Sequence, residues 1–153
     1  TGHLILTKVH ADSAAGVFNR LLEMGVEPAI LASVSLASIS QRLVRRLCPH
    51  CRAPHQPTPD EARRLTSAGL ATQAFFRPTG CARCGGAGFI GRVAVFEVLE
   101  MTMPLREALR GAPSTQALMA LARKDGTVPL LEAAVARAAE GVTSLDEAFR
   151  VAG

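Results

Sequence analysis

The sequence predicts an α/β protein: a strand-like run and helices, then a small tetracysteine lobe that closes on a metal, then a helical tail. Three observations carry this prediction. Leu4-Ile5-Leu6-Thr7-Lys8-Val9 is a continuous apolar run of strand length, of the kind that parallel sheets bury on both faces. The four cysteines fall in two tight pairs, Cys48-Pro49-His50-Cys51 and Cys81-Ala82-Arg83-Cys84. The last third is punctuated by helix-start signals at Pro104, Ser114, Pro129 and Ser144.

Each element follows in order. The first run needs strand neighbours on both sides that the nearby sequence does not supply, so it reads as part of an α/β domain entered midway. His10-Ala11-Asp12-Ser13 makes a loop with Asp12 as the expected N-cap. The next helix carries Val17, Leu21 and Leu22 on one stripe and stops at Gly25. Pro28 opens a longer helix, expected from Ala29 to about Leu47, with Ile30, Val34, Ala37, Gln41 and Val44 along one side. Its basic end, Arg42, Arg45 and Arg46, leads straight into Cys48.

A Cys-x2-Cys pair sets two thiolates on one turn, and two such pairs complete the tetrahedral sulfur shell that zinc prefers. Cys48, Cys51, Cys81 and Cys84 are therefore the expected ligands of one structural Zn2+, with two disulfides or a redox dithiol as the alternatives. The 29 residues 52–80 exceed compact zinc-ribbon spacing and imply a subdomain with its own secondary structure. Pro54, Pro57 and Pro59 stiffen a linker, Thr58-x-x-Glu61 is a capping box, and Phe75-Phe76-Arg77 reads as a strand. Glycines 85, 86 and 88 let backbone N–H groups turn back toward sulfur. Gly91 to Leu99 alternates too little for a one-sided strand and is expected to be largely buried. His50 and His55 stand near the cysteines, but four thiolates already fill the shell.

Composition narrows the functions. The chain has 153 residues, 48% hydrophobic and 20% charged, with six Phe, no Trp and no Tyr. So few rings disfavour stacking on nucleic-acid bases. No apolar run reaches the ~18 residues of a membrane span. Reduced paired thiols and the lack of a targeting segment point to the cytosol. The formal charge of +4 is unevenly spread, for residues 37–92 hold nine Arg against Asp60 and Glu61, a net of +7. Zinc with four thiolates is formally −2 and offsets part of this. The remainder suits anionic lipid head groups, an acidic protein or nucleic acid.

The string Thr1-Gly2-His3-Leu4-Ile5-Leu6-Thr7-Lys8-Val9-His10 resembles the histidine box of the type II secretion and type IV pilus assembly ATPases. The resemblance continues through Arg20-Leu21-Leu22-Glu23-Met24-Gly25 and Ser40-Gln41-Arg42-Leu43-Val44-Arg45-Arg46-Leu47-Cys48. It resumes at Thr79-Gly80-Cys81, at Gly88-Phe89-x-Gly91-Arg92 with Phe96-Glu97-Val98-Leu99, and at Gly141-Val142-Thr143-Ser144. The resemblance implies the C-terminal portion of a homo-hexameric cytoplasmic motor, peripheral at the inner membrane, that uses ATP and Mg2+. On that basis residues 1–47 would be the end of a RecA-like P-loop core, 48–92 a zinc lobe, and 93–153 a buried strand and C-terminal helical bundle. His10 would lie near the terminal phosphate of the nucleotide as a catalytic, sensing residue, and His3 would help shape the same loop. The implied partners are an inner-membrane platform protein and acidic phospholipids, with no specific nucleic acid. The family's usual Ser-Thr-Leu-His-Thr-Asn is here Thr7-Lys8-Val9-His10-Ala11-Asp12, which alters the immediate surroundings of the histidine.

The 153 residues contain no Gly-x4-Gly-Lys-Ser/Thr loop to cradle phosphates, so alone they are expected to be inert toward ATP. Two other classes compete. Cys81-x-x-Cys84-x-Gly86-x-Gly88 also fits the unit that Hsp40-type chaperones repeat four times, although the first pair lacks the glycines. The basic middle would also serve a zinc-containing nucleic-acid-binding module without ATPase activity.

Overall fold

Helix signals that rest on neighbouring residues are realised almost where the sequence sets them. The computed structural model describes residues 3–34 and 36–153. The first helix, α1, spans Ala14–Glu23, and its N-cap is Ser13 rather than Asp12, the Ser13 hydroxyl accepting from the Gly16 N–H. The chain leaves α1 through Met24 and Gly25, which has φ of +90°. Pro28 does open a helix, but this helix, α2, is short, Pro28–Ser33.

The expected long helix is not formed. Ala37–Leu47 is strand β1, which pairs with β4, Phe89–Glu100. Ser38, Ser40, Val44 and Leu47 are buried while Ile39 and Leu43 are exposed. Arg and Leu favour helix only weakly, by tenths of a kcal/mol per residue, and pairing with a partner strand overrides that preference.

The expectation for Gly91–Leu99 also changes. The strand is there, but over its second half it is one-sided: Val95, Glu97 and Leu99 point inward, while Phe96 and Val98 are 49% and 44% exposed. Both faces carry apolar side chains, so hydropathy alone could not reveal the alternation. The run Leu4–Val9 takes no regular secondary structure, and Leu4, Ile5 and Leu6 are 87%, 79% and 87% exposed. A strand needs a neighbour for its backbone groups, and no described strand pairs with this run.

Between the cysteine pairs lie β2 (Ala53–His55), α3 (Pro59–Ser67) and β3 (Phe75–Arg77). The capping box of α3 is complete: Thr58 Oγ1 accepts from the Glu61 N–H, and the Glu61 carboxylate accepts from the Thr58 N–H. The tail holds α4 (Met103–Leu109), α5 (Thr115–Lys124), α6 (Leu130–Ala139) and α7 (Leu145–Ala152), starting as their Pro and Ser signals require.

The chain divides into two compact units, one from Thr1–Ser40 and Glu97–Val128, the other from Gln41–Phe96 and Pro129–Gly153. The first packs Phe18 of α1, Leu31 of α2, Leu99, Leu105, Leu109 and Leu118 into one core. The second packs Val44, Leu65, Phe75, Val95, Val135 and Phe149. Among the described residues no helix is long and apolar enough to cross a membrane.

Candidate metal centre

The two cysteine pairs are brought together by the elements between them. β2 and β3 pair antiparallel, Ala53 opposite Arg77 and His55 opposite Phe75, so the chain leaving Cys51 returns beside itself just before Cys81. The Thr79 hydroxyl donates to the Cys51 carbonyl and draws the ends closer still. The first pair is also held by Gly88 within the lobe and by Val142 and Thr143 from outside it. The Leu47 N–H donates to Val142 O at 2.8 Å, the Cys48 N–H to Gly88 O at 2.9 Å, and the Thr143 hydroxyl to Arg45 O at 2.8 Å. The second pair sits on a single 3-10 turn, Ala82–Cys84, left through Gly85 with φ of +60°. Gly88 has φ of +74°, and a Cβ there would overlap the ring of Pro78, so only glycine fits.

All four Sγ atoms lie within 4.8 Å of one another. Cys48–Cys81 measures 3.9 Å, Cys51–Cys84 3.8 Å and Cys81–Cys84 3.8 Å. A disulfide would require about 2.05 Å. A tetrahedron with metal–sulfur bonds of about 2.3 Å has edges of about 3.8 Å, so the four sulfurs stand where a zinc-sized ion would hold them. All four cysteines are free thiols, and Cys48 is fully buried.

The surroundings prepare the sulfurs unequally. Burial pushes the Cys84 thiol up, but the N–H groups of Cys81 (3.2 Å) and Gly88 (3.1 Å), with Cys81 and Cys51, overcome it and bring it down to about 6. Burial pushes Cys48 up to about 11, against a backbone hydrogen bond at His50 and reinforced by Cys51 and Cys81. Sulfurs this close cannot all ionise without a cation between them, and that is the condition a divalent metal satisfies. Thiolate donors in fourfold array fit zinc, and these four residues can hold a metal ion.

The histidines near the cysteines do other work. Both ring nitrogens of His50 lie near Arg83 Nη1, at 3.0 and 2.9 Å, a contact between the two knuckles. His55 Nε2 meets Glu61 Oε2 at 2.9 Å and so supports the cap of α3. His3 and His10 lie outside the cysteine cluster, on exposed backbone ahead of α1. His10 borders an open cleft of about 300 Å³ with Asp12, Asn19, Arg20 and Thr115; His3 does not line it.

Glu147 and Glu97 are carboxylates buried in the fold. Glu147 of α7 has no exposed surface and accepts from the Arg45 N–H at 3.0 Å, from the Arg45 guanidinium at 3.0 and 2.7 Å, and from Arg150 at 2.9 and 2.7 Å. Burial pushes its carboxyl up, yet the hydrogen bonds from Arg150 and Arg45 prevail and hold it at about 2. The guanidinium of Arg45 also covers the Phe89 ring at 4.2 Å. Glu147 therefore ties α7 to β1 three residues before Cys48. Glu97 of β4 is 3% exposed and accepts from the Ala14 N–H at 2.6 Å. Ser144-x-x-Glu147 has the spacing of a capping box. The Ser144 half is formed, but the Glu147 carboxylate is taken by arginine.

The basic excess is partly structural. Arg52 donates to Gly141 O at 2.6 Å and covers Phe76, Arg64 covers Phe149 at 3.9 Å, and Arg63 pairs with Asp60.

The fold and the four-cysteine lobe define an α/β segment with a candidate metal centre, and comparison with known proteins places it in a family. A model of the family described as "Type II/IV secretion system protein" matches residues 1–150, and the chain belongs to that family. It is 40% identical to the putative type II secretion system protein E of Escherichia coli over 99% of this chain and 31% of that protein. It is 38% identical to the type IV pilus assembly ATPase PilB of Thermus thermophilus over 96% of this chain and 17% of that protein. It is 32% identical to the type II secretion system ATPase E of Vibrio cholerae over 99% of this chain and 30% of that protein. The chain thus spans less than a third of the length of these relatives.

Proposed function

We propose that this chain is the C-terminal portion of a hexameric cytoplasmic ATPase that drives type II protein secretion or type IV pilus assembly. The observation that carries the reading is the unbroken match of residues 1–150 to the secretion family, together with relatives named as ATPases of both systems. In this reading residues 1–47 complete the ATPase core, 48–92 form a zinc lobe, and 93–153 hold a buried strand and the C-terminal helical region.

Cys48, Cys51, Cys81 and Cys84 would hold zinc, which when bound supplies a fourfold cross-link and neutralises the thiolate cluster. The chain's own contribution is to bury Cys48, direct the Gly88 and Cys81 N–H groups at Cys84, and close the interval with β2 and β3. His10 would sense the terminal phosphate of ATP bound with Mg2+, with His3 shaping the same loop. Its exposure beside an open cleft supports that role, since a phosphate sensor must be reachable. The basic lobe would dock on an inner-membrane platform protein and acidic phospholipids.

The test is made in the full-length motor. His10→Ala is expected to slow ATP hydrolysis more than it weakens ATP binding, and the 153-residue chain alone to show no phosphate release above blank. Turnover by the isolated chain, abolished by His10→Ala, would refute the assignment. For docking, Arg46, Arg77 and Arg92 are exposed, and reversing them to Glu is expected to cut sedimentation with anionic liposomes at low salt without lowering zinc content. Unchanged sedimentation removes the lipid part of the reading.

A further inference from the structure

Glu97 is a buried carboxylate that a strand carries into the start of a helix, and the metal lobe makes no use of it. The first four N–H groups of α1 have no partner within the helix. Ser13 satisfies that of Gly16, and Glu97, from a strand 83 residues further along the chain, satisfies that of Ala14 at 2.6 Å. Water cannot replace it, because Ala14 and Ala15 have no exposed surface and Glu97 is 3% exposed. A negative carboxylate also complements the positive end of the helix dipole. The contact therefore fixes where α1 begins. Ala14 is four residues beyond His10, and His10, Asp12 and Ser13 all border the cleft at the N-terminal end of α1.

We propose that Glu97 is a positioning residue for His10: by clamping the Ala14 N–H it sets the turn of residues 10–13 and aims the histidine at the cleft. This rests on the reading of His10 as the phosphate-sensing residue and adds the group that holds it in place. Val93, Ala94 and Val95 precede Glu97 on β4 as ordinary strand residues, and Leu99 follows it into the apolar core. A carboxylate at this inward position would be costly unless it met donors, and the Ala14 N–H at the start of α1 is one that it meets.

The experiment is a double-mutant cycle on steady-state hydrolysis by the full-length motor. Glu97→Ala is expected to lower kcat about tenfold with KM for ATP within about twofold, the pattern of a misaimed group rather than of lost binding. Glu97→Gln, which keeps an oxygen acceptor for the Ala14 N–H, recovers most of the lost rate. Glu97→Asp, shorter by one methylene, does not. His10→Ala with Glu97→Ala is expected to be no slower than the slower single variant, because both remove one function. Multiplicative losses in the double variant, or a wild-type kcat in Glu97→Ala, overturn the proposal while leaving the histidine reading intact. A wild-type kcat in His10→Ala overturns the histidine reading itself and the clamp's purpose with it. Where Glu97→Ala does not assemble, the contrast between Glu97→Gln and Glu97→Asp decides the same question, and equal rates for the two count against the clamp.

Discussion

The cysteine lobe and the segment ahead of α1 are both short stretches of chain, yet one is held from every side and the other by little. Around Cys48 the backbone is tied to Gly88, Val142 and Thr143, the sulfurs approach one another to 3.8–3.9 Å, and Glu147 grips Arg45 three residues upstream. Ahead of α1, residues 3–11 have no regular secondary structure, and Leu4, Ile5 and Leu6 lie open to solvent. The lobe gathers four thiols where a metal ion could link them, and its first pair is held by hydrogen bonds from within and beyond it. The leading run is strand-like in composition, but no described strand pairs with it. The cysteine site is closed partly by partners far away along the chain, which the fold delivers; an apolar strand takes shape only beside another strand.

The sharpest way to break the contrast is to remove the zinc proposed for the four cysteines. Chelation, or Cys84→Ser, is expected to unfold residues 48–92, since structural zinc contributes about 10–16 kcal/mol of apparent binding energy in small zinc modules. The segment ahead of α1 should not change. Metal analysis with circular dichroism and hydrogen exchange checks this. Less than half an equivalent of zinc in protein with intact thiols would remove the zinc assignment.

Next in size is the clamp behind Cys48. Glu147→Ala leaves the Arg45 N–H and two guanidiniums without their acceptor and is expected to cost about 3 kcal/mol, measured by urea unfolding. A loss below about 0.5 kcal/mol would show that solvent replaces the carboxylate.

The same residue imposes a pH dependence. Its carboxyl is held at about 2, below the ordinary 4.5, so the folded state favours the ionised form. That stability is fully present above pH 4.5 and is lost as pH falls from 4.5 through 2. The difference corresponds to at most about 3 kcal/mol, reduced by solvent because Arg45 and Arg150 are about half exposed. Unfolding free energies at pH 6, 4 and 2.5 should fall more steeply in wild type than in Glu147→Gln. Parallel curves would mean that other groups control the acid limb.

The smallest effects belong to the surface of the lobe. Thr58→Ala removes one half of the α3 capping box and is expected to cost about 1 kcal/mol. Asp60→Ala breaks an exposed ion pair with Arg63 and removes one first-turn charge, and is expected to change stability by less than about 1 kcal/mol, below the effect of Thr58→Ala. Reversal of that order would indicate that charge, not capping, holds α3.

Much of the site was legible in the sequence because its signals are local. Two Cys-x2-Cys pairs, the glycines after the second pair, the Thr58-x-x-Glu61 box and the Pro and Ser helix starts each bind residues within about four positions, where chain geometry leaves few choices. The family was legible because its blocks are collinear along the chain. What only the tertiary structure decided depends on residues far apart. Ala37–Leu47 has enough Leu and Arg to pass for a helix and becomes β1 because β4 is there to pair with it. β4 turns one side outward because only packing selects which of two apolar faces is covered. Glu147 fits a helix cap by its spacing, but two arginines, one 102 residues away, claim its carboxylate; Glu97 finds its donor 83 residues away. No periodicity announces such partners, since a buried carboxylate is stabilised by whatever donor the fold brings within hydrogen-bond reach.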